Sequence, residues 1–442
     1  MPAAERQPSN SPSQKPEPVI TTAGQIFPDG VIDLVASADP CRPNLIFWNG
    51  HEAQIAPQIC HAGSWYQGPV LHPTIARHVR FPNSADTSGS AVDLFSTVAD
   101  WLQEYFVLPR DLAYQIVLWL ASTWLSDRLP SPPALIVAAQ TMRRAVDLFQ
   151  LLGCGCRRAL SLTGINRAAL QGLPTDLNLT FLINQPDISL RLLQLLSAAN
   201  HRGINVLGRA GAVQDWSGSK AMFLGKMLSP NAWSGEALWI YLPPAGTDSP
   251  ALDEQTLARI AQQLQSKFLG FRLKWLCETQ AAAFSGDNAS LSGSALAQSL
   301  FACVRHEPEL IETTLPALRG LVEEEAERRR SDPSSVVLEV LWNPAHHDGS
   351  ISVKKIVELL NVLLRTRGGR HEHSPEDVGW ILSHYGFERR RKDRGMVVLS
   401  SAENIGLLHR LVRNLGLNLE KVEGCSHCAG SNPAVPTSMQ GV

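Results

Sequence analysis

Four short apolar runs alternate with helical stretches between Ala134 and Leu242, and no other feature of the chain narrows its fold so far. Ala134-Leu135-Ile136-Val137 precedes a helix reaching Leu152, and Leu179-Thr180-Phe181-Leu182-Ile183 precedes one reaching Ala199. Ile204-Asn205-Val206-Leu207 and the run Ala237 to Leu242 complete the set. Strands joined through helices lie parallel, so the pattern predicts an α/β core with a parallel sheet. Upstream, Leu94, Val98, Leu102 and Phe106 recur at helical spacing, and Arg110 to Arg128 is apolar nearly all round, as a core helix is.

The rest of the chain divides around this core. Residues 1–24 read as a disordered tail and 25–90 as a β-rich module, with Asn49-Gly50 as its hairpin cue and Val79-Arg80-Phe81 as a short strand. A Ser/Gly-rich joint, Asn83 to Ser90, leads into the core, placed at 91–246. Residues 247–333 read as a helical lid ending in a charged linker, Arg328 to Pro333. A last ordered module spans 334–420, and 421–442 is a polar tail carrying Cys425-Ser426-His427-Cys428.

Hydrophobic residues make up 44% and charged ones 18%, enough to bury a large core. The net charge of -2 gives no global pull toward nucleic acid, so such binding needs a local patch. The amino terminus lacks the basic-then-apolar order of a signal peptide, and the longest apolar run, Leu112 to Leu125, is too short and too interrupted to span a membrane. The expectation is a cytoplasmic protein without membrane contact, its eight cysteines mostly reduced.

A strand such as Ala134 to Val137 leading into a helix is where a P-loop sits. That loop uses glycines to wrap backbone N–H groups around phosphates, a Lys to neutralise charge and a hydroxyl to hold Mg²⁺. The order of elements from Asp93 to Pro244 resembles the bacterial P-loop ATPases of the mobile-element, phage-like and helicase/primase-associated (AAA+-like) type. The shared run is an apolar helix containing Leu118-Trp119-Leu120, a strand, the P-loop, a strand ending in Asp-Glu, a Leu-Asn-Ala-Gly-x-x-Arg-Gly stretch and a strand introduced by Arg. The resemblance places the P-loop glycines at Ala139 and Arg144, its lysine at Ala145 and its hydroxyl at Val146. The acidic pair falls on Asn184-Gln185, the Asn-Ala-Gly stretch on Leu196 to Gly203 with Arg202 in register, and the late Arg on Glu236. The apolar framework is kept while the groups that hold phosphate and metal are replaced. Ala139 and Arg144 are poor at the backbone geometry glycine supplies, Ala145 cannot reach a phosphate, and two amides are weak Mg²⁺ partners. Arg143 and Arg144 read as a solvated basic turn, with an anion at a helix N-terminus as the alternative. An unrelated α/β domain is the competing reading, under which Asn184 to Asp187 is only a loop.

In the last module Ser350 to Val353 reads as a short strand before a helix, and Ser374-Pro375 as the cap and first residue of a second helix ending before Gly386. Phe387 to Lys392 and Gly395 to Leu399 read as a hairpin, completing the order of a winged helix. Residues 351–416 carry twelve Lys/Arg against seven acids, a local excess of +5. Arg389, Arg390, Arg391, Lys392 and Arg394 form the footprint expected for phosphates. Trp380 reads equally as core or surface.

Cys425 and Cys428 supply two zinc ligands where a structural site needs four; another subunit's pair, or His371 and His373, are the completions considered. His346-His347-Asp348, before a turn, reads as a solvated loop, with a metal-binding pair as the alternative. The expected fold is therefore an α/β P-loop NTPase-like core with a β-rich N-terminal module, a helical lid and a C-terminal winged-helix-like module. The expected function is that of a catalytically inactive ATPase-fold protein, a DNA-associated scaffold or regulator with protein partners or a homo-oligomeric ring, needing no cofactor. An active, helicase-like nucleoside triphosphatase using ATP and Mg²⁺ is one alternative, with Lys220, Asp187 and Asp215 as substitute ligands. A winged-helix transcription-type regulator is the other.

Overall fold

The computed structural model of the chain describes residues 19–429 apart from 209–210, 212, 226–232, 234, 245–249, 280–287, 348, 369–370, 393–394, 416 and 418. It divides into two units, Met1–Gly320 and Leu321–Val442.

The first unit begins with β1 (Val19–Thr21), β2 (Gln25–Phe27), β3 (Gly30–Val35), β4 (Asn44–Trp48), β5 (Ala53–Ala56), β6 (Gln58–His61) and β7 (Ser64–Gln67). They form an antiparallel sheet β2-β3-β4-β5 and a small sheet β1-β7-β6. The turn from β4 to β5 forms at Asn49-Gly50: Asn49 Oδ1 accepts from the backbone N–H groups of His51 and Glu52 at 2.9 and 2.7 Å, and Gly50 takes φ +94°. A short helix, α1 (Pro73–Ala76), follows. Val79 to Phe81 is not a strand; Val79 is buried in the core of the first unit, and Phe81 packs against that core.

Two helices come next, α2 (Ala91–Phe106) and α3 (Arg110–Trp124). Every residue of α3 from Ala113 onward is buried, as its unbroken apolar run requires. The central sheet is built from β8 (Ala134–Ala139), β9 (Ala159–Leu162), β10 (Thr180–Asn184), β13 (Lys220–Phe223) and β14 (Ala237–Leu242), in the order β14-β8-β13-β10-β9 with every pairing parallel. Helices α4 (Met142–Gly155), α5 (Arg167–Leu170) and α6 (Leu190–Ala198) connect the strands. The Ile204 to Leu207 run does not join the sheet. Its strand, β11 (Asn205–Leu207), pairs antiparallel with β12 (Val213–Asp215), and only Val206 of the run is buried, so it has no apolar face to offer a sheet interior.

The segment expected to be a lid starts with α7 (Glu254–Glu278), which is part of the core instead. Leu257, Ile260, Leu264, Phe268, Phe271 and Trp275 recur at helical spacing and are buried, and Phe268 stacks on Trp124. The Asn83 to Ser90 joint crosses this helix: a Cβ on Gly270 would lie 1.8 Å from the Asp86 carbonyl oxygen, so glycine is required there. Helices α8 (Ala295–Ala302) and α9 (Pro308–Ser331) follow. Arg328, Arg329 and Arg330 are the last turn of α9 rather than a linker, where their charge complements the helix carbonyls.

The N-terminal strands are not a separate module. Ile32, Leu34 and Leu45 share one hydrophobic core with Ile136, Ile183 and Met222 of the parallel sheet. Beside that core lies a buried ion cluster. Asp33 on β3 binds Arg157 Nη2 at 2.9 Å, Arg272 Nε at 2.6 Å and the Arg158 guanidinium, while Asp127 accepts two bonds from Arg272 at 2.6 and 2.5 Å.

The second unit runs α10 (Pro333–His347), β15 (Ser350–Ser352), α11 (Val353–Thr366), α12 (Pro375–Tyr385), β16 (Arg389–Lys392), β17 (Gly395–Leu399), α13 (Ala402–Asn414) and α14 (Ser426–Ala429). Its three strands form an antiparallel sheet β15-β17-β16. Val337, Leu341, Ile356, Leu360, Val378, Leu382, Val398 and Leu408 make its core. Ser374 caps α12 through a reciprocal box with Asp377, and Gly386 ends it at φ +84°. Among the described residues no helix is long and apolar enough to cross a membrane.

Candidate functional site

The carboxyl edge of the parallel sheet is where the sequence places a nucleotide. Ala139 ends β8 level with Leu242 of β14, and Asn184, Phe223 and Val137 share one row across β10, β13 and β8. Ala139, Arg144, Ala145, Val146, Asn184 and Gln185 therefore do come to one edge of the sheet.

What they build there is not a phosphate cradle. Only Gln140 and Thr141 separate β8 from α4, so Arg144, Ala145 and Val146 lie inside the first turns of the helix. A glycine-rich loop that wraps a phosphate has no room to form. Ala145 is fully buried. Arg144 is not a solvated turn residue; it is 7% exposed and directed into the protein. Its Nη1 donates to the Tyr105 carbonyl at 3.1 Å, Nη2 to that of Phe106 at 3.3 Å and Nε to that of Pro243 at 3.4 Å. The guanidinium lies 4.9 Å from the Phe106 ring centroid. Tyr105 and Phe106 end α2, whose last carbonyls have no helical partner, so Arg144 satisfies two of them and faces the negative end of that helix. Its charge is consumed there. Arg143 is exposed and pairs with Asp147 at 2.9 Å.

Of the amide pair, Gln185 is committed in the same way. Gln185 Oε1 accepts from the Ile165 N–H at 2.6 Å and pins the β9–α5 connection. Asn184 Oδ1 is buried and has no hydrogen-bond partner among the described residues. A shallow groove beside Gln185 is bordered by Asn166, Arg167, Asp187 and Arg191.

Arg202 and Glu236 are corrections to the expected set. Arg202 donates to the Ser126 carbonyl at 2.8 Å, and its N–H to that of Pro130, before β8 begins. Glu236 precedes β14, its carbonyl accepting from Ala134 N–H at 2.9 Å and its carboxylate from Ser299 Oγ at 2.8 Å. Both lie at the amino edge of the sheet, because α6 returns the chain to that end before the Leu196 to Gly203 stretch is complete. Lys220 is also at the amino edge, paired with Phe181 and fully buried. Its Nζ donates to Asn200 Oδ1, the Trp216 carbonyl and the Gly218 carbonyl at 2.8, 2.5 and 2.7 Å. Burial pulls its pKa down to about 7, opposed in part by Asp215. It cannot replace a P-loop lysine from there. Of its proposed companions, Asp215 bonds the Ser217 N–H and Asp187 borders the groove beside Gln185.

In the second unit, β16 carries the basic run. Arg390, Arg391 and Lys392 are exposed. Arg389 is turned back onto α12, donating to the Gly379 carbonyl at 2.8 Å and to Ser383 Oγ, and Lys392 Nζ bonds Ser350 Oγ at 3.1 Å. Arg394 lies outside the described residues. Trp380 is a surface residue, 66% exposed on α12 and stacked on His384 with rings 11° apart. Glu376 and Ser383 are exposed on the same helix.

All eight cysteines are free thiols. Cys425 and Cys428 meet neither His371 nor His373. Those two histidines group with Asp377, whose carboxylate already serves the α12 cap. The cysteines instead meet His346 and His409, with all four ligand atoms within 4.8 Å of one another. His346 is therefore in the last turn of α10, half-buried, not in a solvated loop. Sequence spacing pairs His346 only with the neighbouring His347 and does not single out His409, sixteen residues before Cys425.

No protein-family model matches the chain. No curated protein matches it either. Two solved apo structures of the NrS-1 C-terminal region are similar to it, with TM-scores of 0.37 and 0.35 at 9% and 10% identity; each comparison covers 83% of this chain and 96% of that one.

Proposed function

We propose that the chain is an ATPase-fold protein without nucleotide chemistry, which contacts DNA through a winged-helix-like unit and acts as a scaffold or regulator. The observation that carries the first half is Arg144, whose guanidinium is spent on the carbonyls of Tyr105, Phe106 and Pro243 at the edge where a nucleotide would sit. Two features support it. The order β14-β8-β13-β10-β9 puts β8 in the interior of the sheet, with strands reached later on both sides, and open α/β sheets bind ligands at the carboxyl ends of strands at such a point. The two-residue link after β8 and the neutral Asn184-Gln185 pair leave that point without a phosphate loop or a metal carboxylate.

The second half rests on α12 and the β16–β17 hairpin. Arg390 and Arg391 are exposed. On α12, Trp380 offers an exposed ring able to stack on a base or lie against a groove. The fold-level likeness to DNA-binding modules is an analogy; the charge and the exposed ring are the physical argument.

The test has two arms on the purified chain. A fluorescent ATP analogue is titrated with and without Mg²⁺, and the expected result is no Mg²⁺-dependent binding; clear binding refutes the first half. Duplex DNA is then titrated at several salt concentrations against wild type and Arg390→Glu/Arg391→Glu. If both arginines meet phosphates, the variant weakens binding and flattens the log–log salt slope by about 2. Unchanged affinity and slope remove the basic hairpin from the DNA reading and favour a protein partner on that face.

A further inference from the structure

His346, His409, Cys425 and Cys428 come from three places in the C-terminal unit, the last turn of α10, the middle of α13 and the turn into α14, yet present their ligand atoms to one point. His409 Nε2 lies 3.1 Å from His346 Nε2, 3.5 Å from Cys425 Sγ and 3.7 Å from Cys428 Sγ. A tetrahedral Zn²⁺ with ordinary Zn–N and Zn–S bonds would set N···N edges of about 3.3 Å and N···S edges of about 3.6 Å. The three distances match those edges one by one.

The surroundings favour the ligand form of His346 and Cys428. His346 Nδ1 lies 2.5 Å from the Trp342 carbonyl oxygen, which requires a proton on Nδ1 and leaves the Nε2 lone pair facing the centre. The Val422 N–H donates to Cys428 Sγ at 3.4 Å, a bond that favours a thiolate. His409 is 8% exposed and Cys428 3% exposed, and the Trp342 ring packs 4.9 and 4.6 Å from the two imidazoles. One Nε2–H of His409 can serve one of its three neighbours and the two cysteines hydrogen-bond one another, whereas a single cation at the centre engages all four groups. Two thiolates and two neutral imidazoles also neutralise a divalent charge, so the buried site carries no excess.

We infer that the C-terminal unit holds a structural Zn²⁺ ion on His346 Nε2, His409 Nε2, Cys425 Sγ and Cys428 Sγ. The ion ties the segment after α13 to α10 and α13. Four protein ligands fill the tetrahedron, leaving no open position for water or substrate, so the site is structural and not catalytic. It is independent of the nucleotide and DNA readings above.

The experiment uses the full chain, reduced with a phosphine and freed of metal, then titrated with Co²⁺ or Zn²⁺ alone. Co²⁺ is expected to give the intense visible bands of a tetrahedral thiolate site, saturating at about one equivalent and displaced by Zn²⁺. Alkylation followed by peptide mapping locates the site in the wild-type protein: Zn²⁺ should protect Cys425 and Cys428 and leave the exposed Cys60 reactive. His346→Ala should weaken Zn²⁺ binding by about 100-fold or more, and His371→Ala/His373→Ala should leave it unchanged. Folded protein with no cobalt bands, or with Cys425 and Cys428 alkylated equally with and without Zn²⁺, overturns the assignment. So does a site that survives in His346→Ala and is lost in His371→Ala/His373→Ala.

Discussion

Asp33 offers the sharpest test of how the first unit is held together. Its carboxylate is 2% exposed and takes one bond from each of three arginines, Arg157, Arg158 and Arg272, themselves 1 to 2% exposed. Asp127 is the other anion of the cluster, so three guanidinium groups face two carboxylates. Asp33→Asn keeps the shape and removes the charge, leaving three buried cations with one anion. Breaking a buried ion pair by removing one partner costs about 3–5 kcal/mol, and a site already one positive charge in excess belongs at the upper end. For a unit of this size that is a fall in Tm of about 5–10 °C by calorimetry. The pH dependence has a defined sign. Burial pushes the Asp33 pKa up, but Arg157, Arg158 and Arg272 together outweigh it and hold the carboxyl well below the usual carboxylate range. Its contribution is therefore complete above about pH 4 and is lost as pH falls toward the folded-state value, so wild type should show a steeper acid decline than Asp33→Asn. A variant melting within about 2 °C of wild type, with the same acid profile, would refute the argument that this cluster joins β3 to the α/β core.

Two further perturbations follow from the carboxyl and amino edges of the sheet. Arg144→Ala should destabilise the first unit by about 2–3 kcal/mol, since it leaves helix-end carbonyls unpaired, and urea titration reads this directly. The triple change Ala139→Gly/Arg144→Gly/Ala145→Lys should still bind no Mg²⁺-ATP, because the link from β8 to α4 remains two residues; binding by equilibrium dialysis would show that sequence, not loop length, is the obstacle. Lys220→Met should cost about 1–3 kcal/mol at pH 9 by orphaning the acceptors around Nζ. The folded pKa of about 7 lies below the unfolded value, so wild type gains stability relative to the variant as pH rises from 7 to 10. A gap that does not change with pH across that window contradicts the burial argument.

The strands that could be read in the sequence are those that announce their own burial. Ala134 to Val137, Thr180 to Ile183 and Ala237 to Leu242 are apolar runs, and each is a strand of the central sheet. The two strands that escaped notice are introduced by charge. Ala159–Leu162 follows Arg157-Arg158, which resemble a surface pair until Asp33 is brought to them from the other end of the unit, and Lys220–Phe223 opens on a buried lysine. Ile204 to Leu207 failed in the opposite direction, since apolar content says nothing of which edge will accept a strand. At the carboxyl edge, Arg144 was recognised as out of place for a phosphate loop, but only the three-dimensional path of α2 shows what occupies its guanidinium. The cysteine pair was legible from its spacing. His346 can be read as a ligand only beside His347, and its meeting with His409 and the cysteines exists only once α10 and α13 pack.

The placement of β8 bears on the order in which the chain can assemble. Leu135 waits for Ala221, and Ala134 for Ala237, so one edge of this apolar strand stays open until the polypeptide has been made through Phe223 and the other until Leu242. The antiparallel sheet of the first residues and the β9–β10 pair close much shorter loops and can form early. A nascent or truncated chain ending before β14 presents Ala-Leu-Ile-Val with unpaired backbone on at least one side, a template for pairing with another copy. Synthesis past Leu242 is thus the step at which β8 gains its second neighbour and this hazard ends, and fragments meant for study should retain β14.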